Sequence, residues 1–404
     1  MKFLLCVFLS LLGSHAALAA QPSSTNSDQA ALVQGSNAFA IDLYDQLRQH
    51  DGNLFFSPAS ISTAFGMAYA GAHGQTATEM AAALHFTLPP DQLQPAMGAL
   101  LASLNATHPG YELHVADALW AQNGETFLPV FLSVTKADYT AGFHPVDFKA
   151  DPNAVRVTIN QWVEQQTANK ITNLLGPGSV TPDTRLVLTN AIYFKGRWAM
   201  PFQTDFTEQE DFHLSATQTV KAPLMQRNDD YDYFNGGTFQ ALELPYATWE
   251  LSMIVFLPNT YDGLPALEKS LTATNLQKWL AQLRDTGKVV LSFPKFKMTD
   301  KFGLNGTLGA LGMEQAFQKS AADFSGMTGG RDLFISAAVH KAYINVDEKG
   351  TEAAAATGIE FETASARQEP PPIYFTADHP FLFLIRDNRS GGILFMGRVT
   401  DPTK

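Results

Sequence analysis

Residues 348–366 read Glu-Lys-Gly-Thr-Glu-Ala-Ala-Ala-Ala-Thr-Gly-Ile-Glu-Phe-Glu-Thr-Ala-Ser-Ala. Split by the two-residue period of a β-strand, one face carries Thr351, Ala353, Ala355, Thr357, Ile359 and Phe361. The other carries Glu352, Ala354, Ala356, Gly358, Glu360 and Glu362. The first set grows from small to large and apolar, and the second holds the acids, the pattern of a strand with one buried and one wet side. Yet the first half is rich in Ala and Gly, which form strands poorly when nothing pairs with them. Such a segment suits a loop in one state and a strand in another. Pro370-Pro371-Pro372 marks a stiff, extended stretch just beyond it.

Upstream, residues 29–49 have helical spacing (Leu32, Ala40, Leu43, Tyr44, Leu47) and stop at Asp51-Gly52. Ser57-Pro58 reads as an N-cap followed by proline at the first helical position, opening a helix to Ala70. Thr76 and Glu79 match a capping box before residues 80–84. Ile159, Trp162, Val163 and Gln166 form a further helical stripe. After that the chain turns β-rich, with strands expected at 185–194, 289–297 and 333–346 and hairpins at 239–257 and 381–399. Helices first and strands later indicate an α+β fold. There is no linker, repeat or low-complexity tract, so residues 21–404 are expected to form a single domain.

Residues 1–20 resemble a secretory leader of bacterial type. Lys2 supplies the charge, residues 3–12 the apolar core, and Ala17-Leu18-Ala19 a small-x-small cleavage site. The apolar run is far short of the ~20 residues that span a bilayer. A secreted or periplasmic location is the expectation, and the sequons at Asn105 and Asn305 are expected to stay bare. Cys6 is the only cysteine and sits in this leader, so no disulfide, catalytic thiol or cysteine-type zinc site is expected after its removal. The net charge is −12, and no Lys or Arg occurs between Arg48 and Lys136. Nucleic acid, membrane and heparin-like chains are therefore not expected as partners. No nucleophile elbow, zinc-protease helix or phosphate-cradling loop occurs, so no cofactor, metal or catalytic activity is expected.

Five motifs then resemble one family in family order. They are residues 53–62 (Asn-Leu-Phe-Phe-Ser-Pro-Ala-Ser-Ile-Ser), 190–198 (Asn-Ala-Ile-Tyr-Phe-Lys-Gly-Arg-Trp, followed by Pro201-Phe202), and Val339-His340-Lys341 with 348–353. Residues 375–383 (Phe-Thr-Ala-Asp-His-Pro-Phe-Leu-Phe) and 395–399 (Phe-Met-Gly-Arg-Val) complete them. The family is the serpins, metastable serine-protease inhibitors. The resemblance covers nearly the whole chain after residue 20. It implies three β-sheets, about nine helices and an exposed reactive-centre loop at about 348–372. It also implies a suicide mechanism in which the cleaved loop inserts into the central sheet, and a monomer whose partner is a protease.

The resemblance also implies site residues. Glu348, Gly350, Thr351, Ala353, Ala354, Ala355 and Ala356 form the hinge, whose small side chains enter a packed sheet without clash. Counting sixteen positions from Glu348 places the scissile bond at Ala364-Ser365, with Thr363, Ala366 and Arg367 as rivals. Alanine there suits elastase-like or subtilisin-like enzymes, Arg367 would attract trypsin-like ones, and papain-like cysteine proteases stay open. Ser57, Ser60, Asn190 and His340 match a polar "shutter" beneath the opening sheet, and Trp198 and Lys295 match the "breach" where the loop enters. The Lys295–Glu348 pair is expected to be a surface pair of small energy. The runner-up is a non-inhibitory member acting as chaperone, carrier or storage protein.

Overall fold

The computed structural model describes residues 25–139, 142–351 and 371–404. The leader-like residues 1–20 lie outside the described residues, as do Ala353, Ala354, Ala355, Ala356, Ala364, Ser365 and Arg367. The described chain opens with α1 (Asn26–Leu47), β1 (Leu54–Phe56), α2 (Pro58–Tyr69), α3 (Gly74–Ala83), α4 (Pro90–Leu104) and β2 (Tyr111–Gln122). Then come α5 (Pro129–Asp138), β3 (Phe143–Val146), α6 (Pro152–Gln166), β4 (Leu186–Arg197), β5 (Thr207–His213) and β6 (Thr219–Asn235). Next are β7 (Phe239–Pro245), β8 (Leu251–Pro258), α7 (Leu264–Ser270), α8 (Ala273–Leu280), β9 (Arg284–Pro294) and β10 (Phe296–Gly303). The last are α9 (Leu304–Ala310), α10 (Ser325–Thr328), β11 (Ile335–Asp347), β12 (Gly350–Thr351), β13 (Ile373–Thr376), β14 (Phe381–Asp387) and β15 (Ile393–Val399). The fold is α+β.

One sheet has the order β10-β11-β12-β4-β2-β3. The other strands run β1-β15-β14-β8-β7-β6-β9-β13, with β5 on β6. Two of the three expected sheets are thus joined into one ladder. β6, 17 residues long, pairs with β5 over Thr219–Met225, with β9 over Leu224–Tyr233 and with β7 over Asp232–Asn235. An aromatic cluster that includes Phe55, Phe194, Phe293, Phe296, Phe383 and Phe395 is shared by the two ladders. A second cluster packs α1, α2 and α4 beneath them. α2 is buried from Pro58 through Ala68, and its start is pinned where Ser57 Oγ accepts the Ser60 N–H at 3.2 Å and donates to the Leu394 carbonyl at 2.6 Å.

Two local expectations change. Thr76 and Glu79 do not cap their own helix, which starts two residues earlier, at Gly74. Thr76 Oγ1 instead accepts the Asp323 N–H, and Glu79 accepts the N–H groups of Glu314 and Gln315, so the pair holds a distant segment. The strand expected at 289–297 is two strands in different ladders, β9 and β10: the Lys295 N–H still donates to the Pro223 carbonyl of the first ladder at 2.9 Å, and from Phe296 the chain pairs with β11 instead. Lys295 is the crossing point.

The pairing of β4 with β11 changes along its length. They run parallel and paired from Ile335↔Leu186 to Tyr343↔Tyr193. Beyond that point they diverge, and β12 sits between them, antiparallel to both. Gly350 pairs with Arg197 and Asp347, and Thr351 with Gly196 and Val346. The sheet is open by one strand's width at this end and closed below it.

Candidate functional site

At the open end, the backbone of Trp198 donates to the Lys349 carbonyl at 3.0 Å, and its indole donates to the Asp347 carbonyl at 3.0 Å. The indole stacks on Tyr246 with ring centroids 4.6 Å apart. Lys295 Nζ reaches both oxygens of Glu348, at 3.0 and 2.8 Å, and Thr207 Oγ1 donates to the same carboxylate at 2.9 Å. Burial pulls the Glu348 carboxyl upward, but the Lys295 and Thr207 hydrogen bonds outweigh it and leave it below the usual carboxylate range. The expected surface pair is therefore corrected. Glu348 is 7% exposed, so its charge depends on these partners. Trp198, Lys295, Glu348, Gly350 and Thr351 all meet here.

Gly350 has φ +147°, and a Cβ on it would lie 2.0 Å from the Gly196 carbonyl oxygen. Only glycine fits this first rung. Thr351 is fully buried, and its hydroxyl lies 2.9 Å from that of Tyr246.

Deeper in the closed part, Asp117 of β2, Asn190 of β4 and His340 of β11 stand in one row across three neighbouring strands. The Ser57 N–H donates to His340 Nε2 at 3.2 Å, which leaves the proton on Nδ1 to be donated to Asn190 Oδ1. The Asn190 amide donates to Ser60 Oγ at 2.6 Å and to Asp117 Oδ1. Ser60 Oγ and Thr63 Oγ1 donate to Asp117 at 3.1 and 2.6 Å. Burial drives His340 down to about 3, so the ring stays neutral and serves as a hydrogen-bonding group. All four expected shutter residues are brought together. Asn190–His340 is the link that crosses the seam between β4 and β11.

Four participants escaped the sequence reading: Asp117, Thr63, Thr207 and Tyr246. Asp117 had a signal, being a lone acid in the apolar run from Leu113 to Ala121. The other three had none, since their partners are distant in sequence. Among the described residues no cluster of metal-binding side chains occurs. The sequon residue Asn305 accepts the Ala338 N–H at 2.8 Å through Oδ1 and turns Nδ2, the atom that would carry a glycan, to the carbonyls of Ile335 and Ser336 at 3.4 Å.

The family model described as serpin (serine protease inhibitor) matches residues 34–402. The human leukocyte elastase inhibitor is 41% identical over 381 residues, covering 92% of this chain and 99% of its own. Serpin48 of the insect Tenebrio molitor, described as highly specific, superposes with a TM-score of 0.82 at 33% identity over 94% of this chain and 100% of its own. Maspin superposes at 0.86, with 29% identity over 93% and 100%. These relatives overturn the secreted or periplasmic expectation. The leukocyte elastase inhibitors stand among its similar relatives, the human one matched over 99% of its own length, and the family model begins at residue 34, after the leader-like stretch.

Proposed function

The chain belongs to the serpin family of serine protease inhibitors, and we propose that it is an inhibitory member that traps its target as an acyl-enzyme by drawing its cleaved loop into the six-stranded sheet. The observation that carries this reading is β12. Gly350 and Thr351 already occupy, antiparallel to both neighbours, the slot that an inserted strand would fill. Continuing that register brings Ala353 opposite Phe194 and Ile344, and Ala355 opposite Ile192 and Ala342. Thr357 then arrives opposite Asn190 and His340. Small side chains come first, where the slot must be forced. A hydroxyl comes where the Asn190–His340 bond is broken.

Insertion exchanges one parallel ladder for two antiparallel ones. At about 0.5–1.5 kcal/mol net per added bond, a dozen bonds reach roughly 6–18 kcal/mol, on the scale of the ~5–15 kcal/mol that holds an ordinary domain together. That suffices to drag the protease and distort its catalytic serine. Loss of a working triad slows hydrolysis by ~10⁴-fold or more, so the acyl bond persists.

The bond we assign is Ala364-Ser365, sixteen positions from Glu348. A small alanine enters shallow apolar pockets of elastase-like or subtilisin-like enzymes. The name of the human relative, leukocyte elastase inhibitor, supports the same preference. Cleavage after Arg367 would leave three more residues of tether, about 10 Å, and a looser grip.

The test is incubation with elastase-like, subtilisin-like, trypsin-like and papain-like proteases, then a denaturing gel and mass spectrometry of the released peptide. The expected result is a complex that survives denaturation with the first two, and a peptide beginning at Ser365. A stable trypsin complex with a peptide beginning at Gln368 would reassign the bond. Loop cleavage by every enzyme with no stable complex would overturn the inhibitory reading.

A further inference from the structure

We propose that Asp117 makes the closed sheet proton-sensitive: its neutral carboxyl holds β4 and β11 together, and its ionised form eases them apart. This rests on the reading that the seam opens during inhibition. The Asp117 side chain is buried in the same row as Asn190 and His340, one strand from the seam. No cation faces it. α2 presents the hydroxyls of Ser60 and Thr63, and β4 presents the Asn190 amide. β11 contributes only His340, one residue removed and neutral. Ahead of β3, Tyr139 directs its phenol to Gln94 and is itself held protonated by burial. A negative charge here would be buried without a counter-charge, which strongly favours the acid form.

The geometry provides for either protonation state. Thr63 Oγ1 lies 2.6 Å from Asp117 Oδ2 and 2.9 Å from the Ser60 carbonyl oxygen. Over an ionised Asp117, Thr63 donates to the carboxylate. When Asp117 is protonated, Oδ2–H donates to Thr63 Oγ1, and Thr63 turns its own hydrogen to the Ser60 carbonyl. No backbone moves in this exchange, and every group stays bonded. Burial sets the carboxyl at about 7, so both states are populated near neutrality.

His340 is the one member of the network across the seam. Separating β4 from β11 breaks its bond to Asn190, frees the Asn190 amide to turn fully to Asp117, and admits water or the donors of an incoming strand. A buried carboxylate gains more from those donors than a neutral acid does. Ionisation therefore biases the sheet toward opening.

The test uses the intact protein and a synthetic peptide of residues 351–363, whose annealing as a strand is tracked by fluorescence at several pH values. Annealing should quicken about tenfold or more from about pH 6 to about pH 8.5 in the wild type, the equivalent of one pKa unit of differential stabilisation. It should be slow and flat in Asp117→Asn, whose amide keeps the shape without the charge. Equal pH dependence in the two proteins overturns the proposal alone. No annealing at any pH overturns the insertion reading and the proposal with it. If Asp117→Asn does not fold, hydrogen exchange at the β4 and β11 amides of the wild type decides. Rates corrected for intrinsic chemistry should rise over the same interval, and flat rates overturn the proposal.

Discussion

The hydroxyl of Thr351 lies 2.9 Å from that of Tyr246, on the buried side of the sheet and fully shielded from water. This contact fixes the phase of any strand that continues from β12. In a strand continued at that phase, positions 353 and 355 would face inward with Thr351, and 352, 354 and 356 would face out. A charge forced onto the inner face is buried unpaired, at about 3–5 kcal/mol, whereas the outer face costs a few tenths. In the proposed mechanism insertion races deacylation, so Ala353→Arg, at the first inner position beyond Thr351, should be cleaved at the normal bond yet fail to trap the protease, while Ala354→Arg stays largely inhibitory. The number of inhibitor molecules consumed per protease inactivated is the readout. Like behaviour of the two variants would remove the alternation from the mechanism.

Gly350→Ala tests the first rung. The added methyl meets the Gly196 carbonyl oxygen at 2.0 Å, against backbone that cannot swing aside as a side chain would, and at a φ that favours glycine. Loss of both β12 pairings should lower stability by about 2 kcal/mol or more in urea unfolding. An unchanged midpoint would mean that the rung contributes nothing to the closed state.

His340 supplies a prediction in acid. Its folded pKa, about 3, lies below the ordinary 6.5 because burial opposes the charged ring. The neutral ring's contribution is therefore fully present above about pH 6.5 and is lost as pH falls from there toward 3. His340→Gln should remove part of this acid sensitivity while costing roughly 1–3 kcal/mol at neutral pH, through the unmet Ser57 and Asn190 groups. Denaturation midpoints of both proteins at about pH 7 and about pH 4.5 make the comparison. A parallel decline would place the acid sensitivity elsewhere.

Replacing Lys295 with methionine leaves the Glu348 carboxylate buried with only Thr207 beside it. The lowered pKa of Glu348 means that the pair's contribution is present above the ordinary carboxylate pKa and is lost as pH falls through the lowered value. Lys295→Met should therefore destabilise by about 1–2 kcal/mol at pH 7, discounted because the ammonium is partly exposed. The difference should shrink as pH falls through that lowered value. Thermal midpoints down a series of acidic pH values measure it, and a gap that does not narrow would assign the effect to packing of the lysine stem.

Limited proteolysis within the loop should raise the thermal midpoint markedly, since the inserted strand adds hydrogen bonds and apolar burial that the intact sheet lacks. Calorimetry before and after cleavage tests this, and an unchanged midpoint would favour a non-inhibitory role.

Much of the site was readable from the chain. Ser57-Pro58 announced the start of α2 because a cap and the proline after it act within one turn. Ser57, Ser60, Asn190 and His340 were legible as a polar set because hydroxyls, an amide and an imidazole inside apolar segments need one another. The reading went wrong where local signals serve distant partners. Thr76 and Glu79 have capping-box spacing, but tertiary contact turned their side chains to the segment at 314–323. The run across 289–297 looked like one strand because nothing local says that the chain changes ladders at Pro294. The Lys295–Glu348 pair looked exposed because burial is a property of what covers a residue, here Phe202, Thr207 and Trp198.

By itself the sequence determined the α+β class, the family and four members of the polar cluster, Ser57, Ser60, Asn190 and His340, because these depend on residue type and spacing along the chain. Tertiary structure alone decided that β4 and β11 lie side by side with Gly350 and Thr351 entering between them. It also decided that the Asn190–His340 bond ties the buried polar cluster across their seam and that a carboxyl without a counter-charge, Asp117, sits behind it. Those facts arise from strand order and burial among segments far apart in sequence, where the energy of a contact is set by the dielectric and the partners around it.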